Sequence, residues 1–305
     1  MVSRARQAGY RLLGPWFDYL LHTRPIEWPI VAAHTAVGYL LAVGLPNALR
    51  GEALRPALLG IGLWVICLNG GTLALNSAFD RDEADIAYLR RPPRPPAHLA
   101  GFGLSLMLAG LAGSLLLPSG YRAAYAGCLV LSVLYSVPPA RLKAVPGADW
   151  IINVVGFGTL TPYAGWAATG IPVGPVGRLV LLGFCSLFAA LYPLTQIYQF
   201  EEDARRGDRT LARTLGMRRS LLIAIGATIP AFVLFAAAGL RAGWSSTEGW
   251  RWGLLGLAAI GWGLVLLPWL RGYERMSPSQ HQRGMYRALF AWALTDLAVI
   301  VVWAS

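Results

Sequence analysis

The sequence predicts an all-α integral membrane protein, a bundle of nine transmembrane helices. Three observations carry this expectation. Of the 305 residues, 56% are hydrophobic and only 13% are charged, whereas a soluble domain carries about 25% charged residues. Uncharged runs recur along the whole chain, and nearly all reach the roughly 20 apolar residues that a helix needs to cross the hydrocarbon core. Finally, 20 of the 26 Lys and Arg residues fall in alternate segments between those runs.

In chain order, residues 1–27 hold Arg4, Arg6, Arg11 and Arg24 but no short apolar core before a small-residue cleavage site. The segment reads as a cytoplasmic N-terminus, with no cleaved leader, and the first span, 28–49, inserts the chain. The second span, 56–79, closes on an acidic stretch. Pro92-Pro93-Arg94-Pro95-Pro96 follows; it lacks backbone donors, is expected to be stiff and extended, and sets the approach of the third span, 99–121. The fourth, 123–140, stops at a proline pair. The fifth covers 150–177, and the sixth, 179–200, closes on a second acidic stretch. Spans 220–240 and 252–270 come next, and the run 288–295 continues past Asp296 to the C-terminus as the ninth.

With the N-terminus inside, the basic segments lie before residue 28 and in 80–97, 138–147, 200–219 and 271–288, leaving six arginines outside. The positive-inside rule selects this orientation, and a bacterial or archaeal inner membrane is the expected location. It also accounts for the net charge of +11, so the partners are membrane lipids and no nucleic acid is called for. Cys67, Cys128 and Cys185 are scattered through apolar segments and read as packing residues. No linker divides the chain, so 1–305 is expected to be one membrane domain. Phe79-Asp80-Arg81-Asp82 and Phe200-Glu201-Glu202-Asp203 each close an apolar span, 121 residues apart. That echo predicts two related four-helix halves plus a ninth helix, meeting at a shared site.

Eight of the 15 acidic residues sit in the stretches closing the second and sixth spans. Asn76 and Asp80 are four apart, so a helix ending there shows both on one face, and Gln199 and Asp203 repeat the spacing. Magnesium takes oxygen ligands in octahedral array, a few from protein and the rest from phosphate and water. Two facing helix ends with carboxylate and amide oxygens suit a magnesium–diphosphate complex. A plainer role, solvating helix ends and balancing arginines, fits one cluster better than two in matching places. At the end of the fourth span, Arg141 and Lys143 offer cationic donors to phosphate and Tyr135 a neutral one; a proline-stopped helix with ordinary inside charge is the alternative.

Together, Asn76…Asp80…Asp85, Tyr135-Ser136-Val137-Pro138-Pro139-Ala140-Arg141-Leu142-Lys143 and Glu201-x-Asp203 followed by Gly207 and Thr210-Leu211 resemble the three cytoplasmic motifs of the UbiA superfamily of intramembrane prenyltransferases. The resemblance covers nearly the whole chain. It implies a nine-helix bundle whose central cavity opens laterally to lipid, with motif aspartates holding Mg2+ and a prenyl diphosphate beneath a cytoplasmic cap. Three departures stand out. Ser77 replaces the family's second motif residue, the last acid of that motif slips to Asp85, and the leading acid of the later motif falls on Gln199, with Glu202 at hand to compensate.

The resemblance implies Asp80, Asp203 and Tyr135 as catalytic residues. It assigns Arg24, Arg141 and Lys143 to the diphosphate, and Asn76, Asp80, Gln199, Glu202 and Asp203 to the metal. For Arg24, an interfacial anchor beside Trp28 is an equal reading. The implied reaction moves a prenyl group onto a lipophilic acceptor, aromatic or isoprenoid, within the membrane. A terpene cyclase of the same superfamily would ionise the same donor without an acceptor. A transporter would place ionisable groups near the bilayer midplane. Asp149 is expected to pair with Lys143 or Arg141, Asp296 to bond between helices, and His34 to be packed rather than act as an acceptor-side base. Tyr163, Trp166, Tyr192 and Tyr198 are candidates to line the cavity.

Overall fold

A computed structural model describes residues 4–80, 92–200, 204 and 207–305, and these form helices and turns with no strand among them. Two short helices, α1 (Arg4–Leu13) and α2 (Trp16–His22), precede the bundle. The long helices are α3 (Trp28–Val43), α4 (Leu54–Asp80), α5 (Leu99–Leu116), α6 (Ser119–Ser136), α7 (148–167) and α8 (Pro175–Ile197). A single turn, α9 (Leu211–Leu215), leads into α10 (Met217–Arg241), α11 (Gly249–Arg275) and α12 (Pro278–Ala304). Six of these, α4, α5, α8, α10, α11 and α12, are long and apolar enough to cross a membrane, and α3 is a shorter apolar helix. The protein is an integral membrane protein.

Local chemistry explains where the helices depart from the uncharged runs. α3 ends at Val43 because Gly44 adopts φ 77°, a conformation that glycine takes without strain. α6 begins ahead of Arg122 and stops at Ser136, before the Pro138-Pro139 pair. The run 150–177 divides into α7 and a turn before Pro175, which opens α8. α12 starts ten residues before the run 288–295 does, at a capping box of Ser277 and Gln280. Both α4, over Leu63–Asn69, and α7, over Val154–Leu160, contain a wider π-helical turn.

Burial sorts the helices. In α8, 78% of the apolar window is buried, against 28–44% in the other five, so α8 is the central helix and its neighbours turn a face to lipid. Leu264, Leu257 and Phe290 lie on those outer faces, each more than 60% exposed. One apolar core runs from Val31 to Ala168, around Trp64, Tyr121 and Tyr125; a second is built largely from α8 and α10–α12, around Phe184, Phe235 and Trp262; a small third one packs Tyr39, Ala48 and Ala57. Buried indole and phenol groups find partners on other helices, as Trp64 does on Thr161 (3.2 Å), Trp262 on Thr295 (3.1 Å) and Tyr121 on the Gly60 carbonyl (2.6 Å).

α3 and α7 approach closely because glycines face carbonyls. A β-carbon at Gly38 would overlap the Pro162 oxygen, and one at Gly165 would overlap the Thr35 oxygen. Small residues let membrane helices pack backbone to backbone. Gly165→Val should therefore destabilise the protein by about 1–3 kcal/mol, read as a lowered melting temperature in detergent micelles. An unchanged melting temperature would contradict this packing.

His22 is fully buried at the end of α2. Burial pushes its imidazole below the ordinary value, outweighing the Pro93 carbonyl, which raises it. The unfolded chain then takes up a proton that the folded chain does not, so stability falls as pH drops below about 6.5. Melting curves between about pH 7.5 and about pH 5.5 should show that loss in wild type and less of it in His22→Gln.

Candidate active site at the polar end of the bundle

Three chain segments deliver their charged side chains to one end of the bundle. α4 runs unbroken to Asp80, so Asn76 and Asp80 emerge on one face as their spacing predicts. The segment after α6 turns sharply: Arg141 adopts φ 33°, and its N–H bonds to the Val137 carbonyl at 2.9 Å. That turn aims Lys143, only 7% exposed, at α4. Its Nζ donates to Asn76 Oδ1 at 2.9 Å and pairs with the Asp80 carboxylate. Arg141 Nη2 lies 3.5 Å from Asp80 Oδ1 and 3.0 Å from Asp208 Oδ1. Asn76, Asp80, Lys143, Arg141 and Asp208 thus form one continuous charged cluster. Two oxygens four residues apart on α4 converge on a single cationic centre, which is the kind of donor set a hard cation takes.

Asp149 holds the scaffold beneath this cluster. It is fully buried and accepts three N–H donors: Gly147 N at 2.9 Å, Gln196 Nε2 at 2.7 Å and Leu211 N at 3.0 Å. Gln196 Oε1 in turn accepts from Ala212 N at 3.1 Å. The loop before α7, the end of α8 and the start of α9 are bound to one carboxylate. The expected ion pair of Asp149 with Lys143 or Arg141 does not form, because these backbone and amide donors already satisfy it.

The other predicted residues are placed as follows. Gln199 lies beyond the last residue of α8, in a turn, so it does not continue the helical face; its Nε2 donates to Tyr198 Oη at 3.0 Å. Burial pushes the Tyr198 phenol up to about 12, with the Arg24 charge acting against that rise, so it remains a neutral phenol. Arg24, 7% exposed with φ 50°, lies 3.6 Å from Glu27. Tyr135 Oη sits 3.0 Å from Tyr192 Oη, turned toward the bundle interior. Asp203 and Glu202, with Asp82, Glu83, Asp85 and Glu201, lie outside the described residues. Among the described residues no three acidic, histidine or cysteine side chains gather as a metal centre.

Above the charged end, aromatic rings stack along α8. Tyr192 meets Phe188 at 6.3 Å between centroids, and Phe188 meets Phe157 at 5.1 Å and Trp292 at 5.5 Å. Of the four expected cavity aromatics, Tyr192 and Tyr198 are near this region. Trp166 instead bonds to the Ile171 carbonyl at the opposite end of the bundle, and Tyr163 reaches Gly120. Asp296 bonds between helices as expected, with Oδ2 accepting Trp292 Nε1 at 3.1 Å and lying 3.3 Å from His34 Nδ1. A groove of about 310 Å³ between α11 and α12 is lined by apolar side chains, among them Leu257, Leu294 and Val301, with no charged residue.

Reasoning from sequence overlooked Asp208 and Gln196. Asp208 was visible only as one more acid in an arginine-rich loop, and no spacing rule links it to Arg141. Gln196 lies one helical turn before the end of α8, and the helix end itself could not be fixed to within a turn from composition.

The UbiA prenyltransferase family profile matches residues 31–294. A lycopene elongase/hydratase of Haloferax volcanii is 30% identical over 238 residues, 76% of each chain. A digeranylgeranylglyceryl phosphate synthase of Methanoregula boonei is 30% identical over 251 residues, covering 78% of this chain and 80% of its own. A solved structure of a UbiA homologue from Archaeoglobus fulgidus, bound to GPP and Mg2+, superposes with a TM-score of 0.66 at 21% identity, covering 93% of this chain and all of that one.

Proposed function

Because this chain belongs to the UbiA prenyltransferase family, we propose that it moves a prenyl group from a prenyl diphosphate onto a lipophilic acceptor, aromatic or isoprenoid, within the membrane. The observation that carries this reading is the convergence of Asn76, Asp80, Lys143, Arg141 and Asp208 at one end of an otherwise apolar bundle. Relatives named for elongating lycopene and for making digeranylgeranylglyceryl phosphate support a lipophilic acceptor.

Asn76 and Asp80 would hold the cation, with Asp203, Glu202 and Gln199 joining them from the segment after α8. The oxygens that meet Lys143 fit such an ion, and the A. fulgidus homologue is bound to Mg2+. Magnesium, when bound, supplies positive charge against the leaving diphosphate. Arg141, Lys143 and Arg24 bind the remaining phosphate oxygens, and Tyr135 gives a neutral donor at the boundary with the aromatic region. The allylic C–O bond breaks with its electron pair leaving on diphosphate. The acceptor then supplies a pair to the freed carbon and loses a proton. Rings along α8 keep water from the cation and face it with their π-clouds, worth roughly 1–2 kcal/mol each when dry.

The topology that goes with this chemistry is nine spans, α3–α8 and α10–α12, with the N-terminus and the charged cluster on the cytoplasmic side of a bacterial or archaeal inner membrane. The chain is one domain of two four-helix halves and a ninth helix. The arginine distribution and the two acidic stretches 121 residues apart support it.

The test incubates purified protein with magnesium, labelled farnesyl or geranylgeranyl diphosphate, and a lipid extract. Diphosphate release together with a product heavier than its acceptor by one prenyl group is expected. Diphosphate release with only a single-substrate cyclic product would assign a cyclase, and no release at all would refute the reading.

A further inference from the structure

One buried polar pair has no part in the chemistry above. His34 in α3 is 1% exposed, and its Nδ1 lies 3.3 Å from Asp296 Oδ2 in α12. The carboxylate accepts only, and it already accepts the Trp292 indole N–H. Hydrogen-bond accounting therefore puts the imidazole proton on Nδ1 and leaves a lone pair on Nε2. That Nε2 is buried and has no partner. It lies among Trp292, Phe184 and Phe157, whose centroids are 4.9, 5.2 and 6.4 Å from the imidazole. Phe157 makes the loosest of these contacts and rides on the π-helical turn of α7.

An ionisable pair between membrane-spanning helices is expensive to keep and marks a site. A buried acceptor without a donor is a deficit that a ligand can remove. Depth limits what that ligand is. Phe188 and Phe184 stand 8 and 12 residues before Gln196 on α8, which at helical rise puts His34 roughly 12–18 Å above the charged cluster. It is too far to touch diphosphate or the carbon that leaves it. Charge limits the ligand further, since Asp296 repels an anion and a hydrocarbon would leave Nε2 unsatisfied.

We propose that His34 and Asp296 form a recognition site for a neutral hydroxyl on the lipophilic acceptor, a phenol or alcohol whose O–H donates to His34 Nε2 between these rings. The proposal rests on the transferase reading for the identity of its ligand. Asp296 acts through His34, as the positioning residue that fixes the tautomer. In Asp296→Leu nothing accepts from Nδ1, so the proton is free to move to Nε2 and turn the acceptor into a donor, whereas in Asp296→Asn the amide oxygen can take the Oδ2 position and accept both N–H groups as before.

The test uses the full chain in lipid nanodiscs, with ¹⁵N-histidine and two probes that differ only in the hydroxyl, 4-nonylphenol and nonylbenzene. Wild type is expected to bind the phenol about five- to tenfold more tightly, the effect of one net hydrogen bond, with a shift of the unprotonated Nε2 resonance. His34→Phe should remove that preference. Asp296→Leu should weaken it and show the Nε2–H tautomer in the spectrum, while Asp296→Asn should keep both the preference and the wild-type tautomer. His34→Gln, which keeps an acceptor, serves if the phenylalanine variant does not fold, and should retain part of the preference. Equal binding of both probes, or a phenol preference that survives His34→Phe, overturns the proposal. Because binding is read without turnover, an inactive protein that still selects the phenol would sink the transferase reading and leave this site standing.

Discussion

Replacing Asp80 with alanine is expected to lower kcat for prenyl transfer by about a thousandfold or more, the scale seen when a preorganised electrostatic group is removed from a reaction centre. Asp80 is the hub of the charged cluster, pairing with Lys143 and lying near Arg141, and in the proposed reaction it also holds the cation. Asp80→Asn keeps the shape but not the charge and should lose nearly as much. The measurement is diphosphate release from geranylgeranyl diphosphate in the presence of magnesium, with size-exclusion profiles showing that the variants remain folded. Asp203→Ala should behave alike. Full turnover in both alanine variants would remove the assignment.

The second large effect is on stability. Asp149→Ala should cost about 3–4 kcal/mol, because three buried donors lose their acceptor at once. Gly147 N, Leu211 N and Gln196 Nε2 all point at this carboxylate, and no other group is placed to take them. Asp149→Asn would present an amide N–H to one of those donors and should fare little better. Denaturation in mixed micelles measures it, and a loss under about 1 kcal/mol would show that the three segments are held otherwise. Turnover should fall with stability here, whereas in Asp80→Ala the two should separate.

Much of this architecture is legible in the sequence. Runs without charge located the long helices, since hydrocarbon tolerates little else, and the four-residue spacing of Asn76 and Asp80 gave their shared face. Helix ends were harder. Composition placed the close of α8 near residue 200, but the helix stops at Ile197, so Gln199 sits in the turn that follows and Gln196 is the amide that reaches Asp149. Asp149 was expected to seek a cation, because sequence shows charge and conceals backbone donors. Its partners come from residues 147, 196 and 211, and only folding brings them together. His34 and Asp296 are 262 residues apart, and no local pattern could pair them.

The wide turn in α4 bears on the phase of everything that follows it. Asn76 and Asp80 lie just beyond Leu63–Asn69, and each residue of an ordinary helix advances the side chains by about 100°. Deleting one residue inside the wide turn would let it tighten into regular geometry and leave their bearing nearly as it is, whereas deleting one from the regular helix between it and Asn76 would swing both oxygens about 100° away from Lys143. A protein so trimmed should insert, fold and stay silent, its ligands facing the wrong compass bearing.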